Sequence, residues 1–142
     1  MRITAIDHVG IAVPDLDVAI EHYTSAYGMT CVHQEVNEEQ GVREAMMAVG
    51  DSGSYLQLLS PLNPDTTIGR FLDKSGPGIQ QMAYRVDDID EVSEHLRSQG
   101  MRLLYDAPKN GTAGSRVNFV HPKSAGGVLV ELVEPGKEPL GH

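Results

Sequence analysis

Four polar side chains stand where half-buried strands would normally carry apolar ones. Gln57 lies within Leu56-Gln57-Leu58-Leu59, and Glu131 within Leu129-Val130-Glu131-Leu132-Val133. His8 and Gln81 lie in the alternating runs Ile6-Asp7-His8-Val9-Gly10-Ile11-Ala12-Val13 and Ile79-Gln80-Gln81-Met82-Ala83-Tyr84-Arg85-Val86. A carboxylate taken out of water is costly unless it is paired or bound to a cation. One imidazole, one carboxylate and two amide oxygens make an octahedral divalent-metal site with positions left for water or substrate. Their combined charge is −1, from Glu131 alone, which suits cobalt, manganese or nickel better than a closed structural zinc site, although zinc competes by affinity. Taken singly, each has a plainer reading: His8 as a core histidine, the glutamines as hydrogen-bonding within a sheet or facing solvent. What favours the metal reading is their relation to one another.

That relation is an internal repeat. The run beginning at Ile6 aligns with the run beginning at Ile79 at an offset of 73, and Glu21-His22 falls on Glu94-His95 at the same offset. Gly28-Met29 falls on Gly100-Met101 at 72, and Gly53-Ser54-Tyr55-Leu56-Gln57 on Gly127-Val128-Leu129-Val130-Glu131 at 74. Four matches in order indicate a duplication. It pairs His8 with Gln81 and Gln57 with Glu131, and equivalent positions of a duplicated unit are expected to meet about a pseudo-twofold axis. Each copy reads as an alternating strand (6–13, 79–86) and then a helix (about 17–27, 90–99) introduced by acidic residues. Asp88 and Glu91 have the spacing of a capping box. Gly28 and Gly100 supply left-handed helix ends. Three short strands follow in each copy, at 29–36, 42–49 and 54–59, then at 101–105, 116–119 and 128–133. The expected class is therefore α+β, one domain over 1–142 made of two βαβββ modules at about 3–61 and 78–135. A Pro- and Gly-rich connector, 62–77, joins them; 50–53 reads as a hairpin turn, 107–115 as a long loop and 136–142 as a loose tail.

The chain has 142 residues, 40% of them hydrophobic, with 11 basic against 20 acidic residues for a net charge of −9. That suits one compact unit and excludes two large domains. No stretch approaches the roughly 18 apolar residues of a membrane span, and Met1-Arg2-Ile3-Thr4 lacks the pattern of a secretory signal, so a cytoplasmic protein is expected, with no membrane partner. The single cysteine, Cys31, allows no internal disulfide and no cysteine zinc site. The acidic balance, with no Trp and two Phe, argues against a nucleic-acid partner. Within 97–123, however, Arg97, Arg102, Lys109, Arg116 and Lys123 face only Asp106, a local balance of +4 that could steer an anionic ligand.

Along about 3–134 the chain resembles the vicinal oxygen chelate superfamily and, within it, the methylmalonyl-CoA epimerases. The resemblance rests on Ile6-Asp7-His8-Val9-Gly10-Ile11-Ala12-Val13, on Gln40-Gly41-Val42-Arg43-Glu44, on Ser60-Pro61-Leu62 and on Tyr84-Arg85-Val86-Asp87-Asp88-Ile89-Asp90. It extends to Leu104-Tyr105-Asp106-Ala107-Pro108-Lys109, to Asn118-Phe119-Val120-His121-Pro122-Lys123-Ser124 and to Gly127-Val128-Leu129-Val130-Glu131-Leu132. It implies an open, metal-bearing cleft, often in a homodimer, and an enzyme that interconverts (R)- and (S)-methylmalonyl-CoA through a metal-stabilised enolate. His8, Gln57 and Glu131 match family ligand positions. Gln81 stands where members commonly carry a second histidine, and Gln80, on the other face of its strand, is the fallback. The implied metal is a divalent ion, cobalt first, with Mn2+, Ni2+ or Zn2+ as alternatives. Two bases on opposite faces of the substrate are required. Glu44 is the first choice, with an exposed glutamate at a strand start as its plainer reading. Glu131 is the candidate for the second, although a metal-bound carboxylate is a weak base and a metal-bound water could serve instead. The competing readings are a glyoxalase I-like isomerase, which usually has glutamate and histidine where this chain has Gln57 and Gln81, and a metal-free drug-binding protein of the same fold. Loss of the second histidine also argues against a two-histidine, one-carboxylate dioxygenase.

Overall fold

The computed structural model describes residues 2–137, which divide into two compact units: residues 8–80, and residues 2–7 together with 81–137. The first unit holds β1 (Ile3–Ala12) from His8 onward, then α1 (Leu16–Tyr27), β2 (Thr30–Asn37), β3 (Val42–Ala48), β4 (Tyr55–Pro61) and α2 (Thr67–Ser75). Its strand order is β2-β3-β4-β1, antiparallel except for the parallel pair β4 and β1. The second unit holds most of β5 (Gly78–Val86), then α3 (Ile89–Ser98), β6 (Lys109–Asn110), β7 (Arg116–Val120) and β8 (Val130–Glu134). Its order is β5-β8-β7-β6, again with one parallel pair, β5 and β8. Counted outward from the parallel pair, both units read first, fourth, third, second strand, which is the topology the repeat predicts.

The helices form for the same local reasons in both. The Asp15 carboxylate accepts a hydrogen bond from the Val18 amide and that of Asp88 from the Glu91 amide, each at 3.1 Å, satisfying donors that a helix start leaves open. α1 closes on Gly28 at φ 70°, whereas α3 closes on Gln99, one residue before the expected glycine. α1 buries Leu16 and Ala19 against Val13, Ala45, Met47 and Leu58. α3 buries Ile89 and Val92 against Val86, Val120, Val130 and Leu132. One surface ion pair is duplicated too. Arg43 on β3 meets Asp17 on α1 at 3.4 Å, and Arg116 on β7 meets Asp90 on α3 at 3.1 Å, with both partners shifted by 73 positions.

Two expectations are corrected. The connector 62–77 contains α2, capped by the Thr66 hydroxyl, which accepts from the Gly69 amide at 3.0 Å. Ile68, Phe71 and Leu72 fall at helical spacing and cover Ala12, Val42 and Leu59. Gly69 is required because a Cβ there would sit 2.6 Å from the Pro64 carbonyl oxygen. The strand expected at 101–105 is reduced to one bridge, Leu103 to Val120. Neighbouring backbone groups bond elsewhere: the Arg102 amide donates to Ser124 Oγ at 3.1 Å, and the Tyr105 amide and carbonyl pair with the Asn118 side chain at 3.1 and 3.0 Å. Most of the tail expected at 136–142 lies outside the described residues. No helix among those described is long and apolar enough to cross a membrane.

Candidate active site

Strand alternation sorts the first unit into two faces. Ala45, Met47 and Leu58 face α1, so Glu44 and Gln57, one position away, take the opposite face. His8 joins them there, because the parallel register sets His8 against Tyr55 and Gly10 against Gln57. All three are buried, with His8 and Glu44 each 3% exposed and Gln57 4%. Gln57 donates through Nε2 to Glu44 Oε2 at 3.1 Å. Glu44 is therefore not an exposed residue at a strand start but a carboxylate taken out of water and oriented by an amide. Removing water from a carboxylate and fixing its direction is what a proton-abstracting base needs.

The second unit repeats the arrangement. Ala83, Val117 and Val133 pack on the face away from α3, and Glu131 is set directly against Ala83. Gln81, two residues before Ala83, shares that face and donates through Nε2 to Glu131 Oε1 at 3.3 Å. Gln81 and Glu131 are 4% and 7% exposed. Gln80 alternates to the other side and is half-buried. Thus each glutamine of the proposed donor set is steered by a carboxylate of its own unit, Gln57 by Glu44 and Gln81 by Glu131.

The donor types fit a divalent ion. Among the described residues no three His, Cys, Asp or Glu side chains form a metal-holding group, so an ion held at His8 or at Glu131 needs the amide oxygen of the glutamine on the same face of its own unit, Gln57 or Gln81. Both glutamines bond to carboxylates through their nitrogens, and a glutamine coordinates through its oxygen, so the observed hydrogen bonds are compatible with coordination.

Two features escaped the sequence reading. Arg85 Nε meets Asp7 Oδ1 at 2.8 Å, a largely buried pair beside His8 in the chain; an arginine within an alternating apolar strand was its signal. Asn118, fully buried on β7, anchors the Tyr105 backbone. The basic stretch is also less free than its local sum suggests. Arg97 bonds to Glu94 at 2.8 Å and to the carbonyls of Tyr105 and Asp106. Arg116 is held by Asp90 and Glu134, and its hydrogen bonds to those two carboxylates push its pKa above the ordinary arginine value. Arg102, Lys109 and Lys123 are exposed.

Two βαβββ units of one topology define the vicinal oxygen chelate fold. Residues 7–119 match the family model described as Glyoxalase/Bleomycin resistance protein/Dioxygenase superfamily. The chain is 58% identical to a crystal structure of methylmalonyl-CoA epimerase from Mycobacterium tuberculosis, covering 94% of this chain and 89% of that one with a TM-score of 0.92. It is 46% identical to a methylmalonyl-CoA epimerase solved with methylmalonyl-CoA and NH4+, covering 96% and 97%, with a TM-score of 0.93. The ethylmalonyl-CoA/methylmalonyl-CoA epimerase of Cereibacter sphaeroides is 35% identical over 89% of this chain and 95% of its own length. The chain belongs to the methylmalonyl-CoA epimerase family within that superfamily.

Proposed function

We propose that this protein interconverts (R)- and (S)-methylmalonyl-CoA by removing the C2 proton on one face and returning it on the other. Family membership makes it an epimerase acting on an acyl-CoA. The observation that carries the mechanism is the buried Glu44 carboxylate held by Gln57 at 3.1 Å. Glu44 accepts the proton through one oxygen while the Gln57 amide fixes the direction of the other. Glu131, similarly held by Gln81, is the candidate base for the opposite face. His8, Gln57, Gln81 and Glu131 would hold a divalent metal, cobalt first and Mn2+, Ni2+ or Zn2+ as alternatives. When bound, that ion neutralises the negative charge that gathers on the thioester oxygen and carboxylate as the proton leaves. A cytoplasmic homodimer is the assembly this reading expects.

The test is proton NMR of methylmalonyl-CoA in deuterated water. Exchange of the C2 hydrogen together with interconversion of the two stereoisomers is expected. A signal that persists in the presence of folded, metal-loaded protein would overturn the assignment.

A further inference from the structure

Met46 and Met47 are consecutive on β3, and strand alternation sends them to opposite faces. Met47 lies in the apolar cluster under α1 with Ala45 and Leu58. Met46 shares the other face with Glu44 and is set directly against Gln57 on β4. At 2% exposure it is no less buried than Glu44 at 3% and Gln57 at 4%. Yet among the described residues it belongs to none of the apolar clusters. Of two adjacent methionines, one is core and the other is buried among polar side chains.

The register shows what else stands beside Glu44. On the β4 side its partner is Leu59, which is taken up with Ala12, Val42 and the α2 residue Ile68. On the β2 side its partner is Glu35, which is paired with His33 at 2.7 Å. Beyond Gln57, β1 presents Gly10, which adds no side chain to the row that holds Met46. Of the apolar side chains next to Glu44 in this register, Leu59 is therefore committed to α2, whereas Met46, about 7 Å along β3, is not.

The alkyl group of a 2-alkylmalonyl ester is attached to the same carbon as the proton that Glu44 removes, so the surface that receives it must adjoin that carboxylate. We propose that Met46 is that surface: its side chain bounds the slot for the C2 substituent and sets the largest alkyl group the enzyme accepts. The proposal rests on the epimerase reading above. A methyl group fits between the methionine and the hydrogen-bonded Glu44 and Gln57. Each further methylene has to displace a side chain that is already buried. An unbranched thioether yields to the first extra carbon more readily than to the later ones, so acceptance falls steeply with chain length.

The experiment measures kcat/KM and C2 deuterium exchange for methylmalonyl-CoA and butylmalonyl-CoA. It uses metal-loaded wild type, Met46→Val, Met46→Ala and Met47→Ala, each first shown to be folded by circular dichroism. Wild type is expected to prefer the methyl ester. Met46→Ala is expected to raise the butyl-to-methyl ratio of kcat/KM about tenfold or more, the scale on which a pocket discriminates methylenes. Met46→Val, the milder truncation, raises it by a smaller factor. Met47→Ala removes the same atoms from the opposite face and leaves the ratio as in wild type. With the wild type exchanging C2, a ratio unchanged in the Met46 variants, or raised equally by Met47→Ala, would overturn the proposal and leave the epimerase reading standing. No exchange by the wild type with either ester would overturn that reading and the proposal with it.

Discussion

In the first unit the second strand, β2, runs eight residues along β3. Its counterpart in the second unit survives as the bridge from Leu103 to Val120 and the two residues of β6. The duplication has kept what fastens each helix to its sheet: the parallel pair, the apolar clusters and the ion pairs of Arg43 with Asp17 and Arg116 with Asp90. It has let the edge strand go. An edge strand can be lost cheaply only if its backbone groups find other partners, and Asn118 supplies them for Tyr105. At the matching position of the first unit, 73 residues earlier, stands Ala45, an apolar core residue. One unit thus keeps a regular sheet that buries Glu44, while the other gives up regularity for a tethered loop carrying Tyr105 and Lys109.

The largest effects are expected at the two strongest donors of the proposed ligand set, His8 in the first unit and Glu131 in the second. His8→Ala and Glu131→Ala are each expected to abolish high-affinity metal binding and activity together. Stoichiometric metal in the dialysed His8 variant would rule the site out. Next in size, Glu44→Gln keeps shape and hydrogen bonding but removes the basic oxygen, so turnover should fall about 10²-fold with metal content intact. Deuterium washed into C2 without inversion would show that Glu131 still serves the other face, and full activity would exclude Glu44.

Asn118→Ala gives the second unit the residue found at that place in the first, and it orphans the Tyr105 backbone. A loss of about 2 kcal/mol in urea unfolding is expected; an unchanged midpoint would mean that the loop is not anchored through Asn118. Gln81→His makes the repeat-related pair with His8 symmetrical and should tighten metal binding, since imidazole is the stronger donor for late first-row ions. A weaker affinity by competition with a chelator would place Gln81 outside the metal shell. Smallest of all, Arg43→Ala and Arg116→Ala should each cost less than about 1 kcal/mol in thermal unfolding. Arg116 should cost more, because it pairs with both Asp90 and Glu134; equal losses would mean that Glu134 adds nothing.

Much of this was legible from alternation and caps. Seven of the eight expected strands formed within a few residues of their expected limits, because each has one apolar face that only period-two structure can bury. α2 was hidden because its nine residues carry a short apolar stripe between Pro- and Gly-rich flanks. The missing strand at 101–105 could not be foreseen from its own residues, since what replaces its ladder is a side chain 13 positions away from Tyr105. Glu44 is legible by resemblance and not by pattern: in Arg43-Glu44-Ala45 nothing local says which polar residue turns inward. The charge sum over 97–123 misled because Asp90, Glu94 and Glu134, which occupy Arg97 and Arg116, lie outside that window.

The place where β1 is divided between the units has a consequence for how the protein is made. Thr4 Oγ1 bonds to the Arg85 carbonyl at 3.3 Å, and Asp7 pairs with Arg85 at 2.8 Å, so residues 2–7 belong with residues 81–137. A ribosome delivers those first residues long before their partners, at several residues per second. Residues 8–80 contain all the strands of their own unit as soon as they emerge, whereas the opening segment must wait, unpaired, until β5 arrives. The second unit is therefore completed after the first during synthesis, although residues 2–7, which belong to it, are made before any residue of the first.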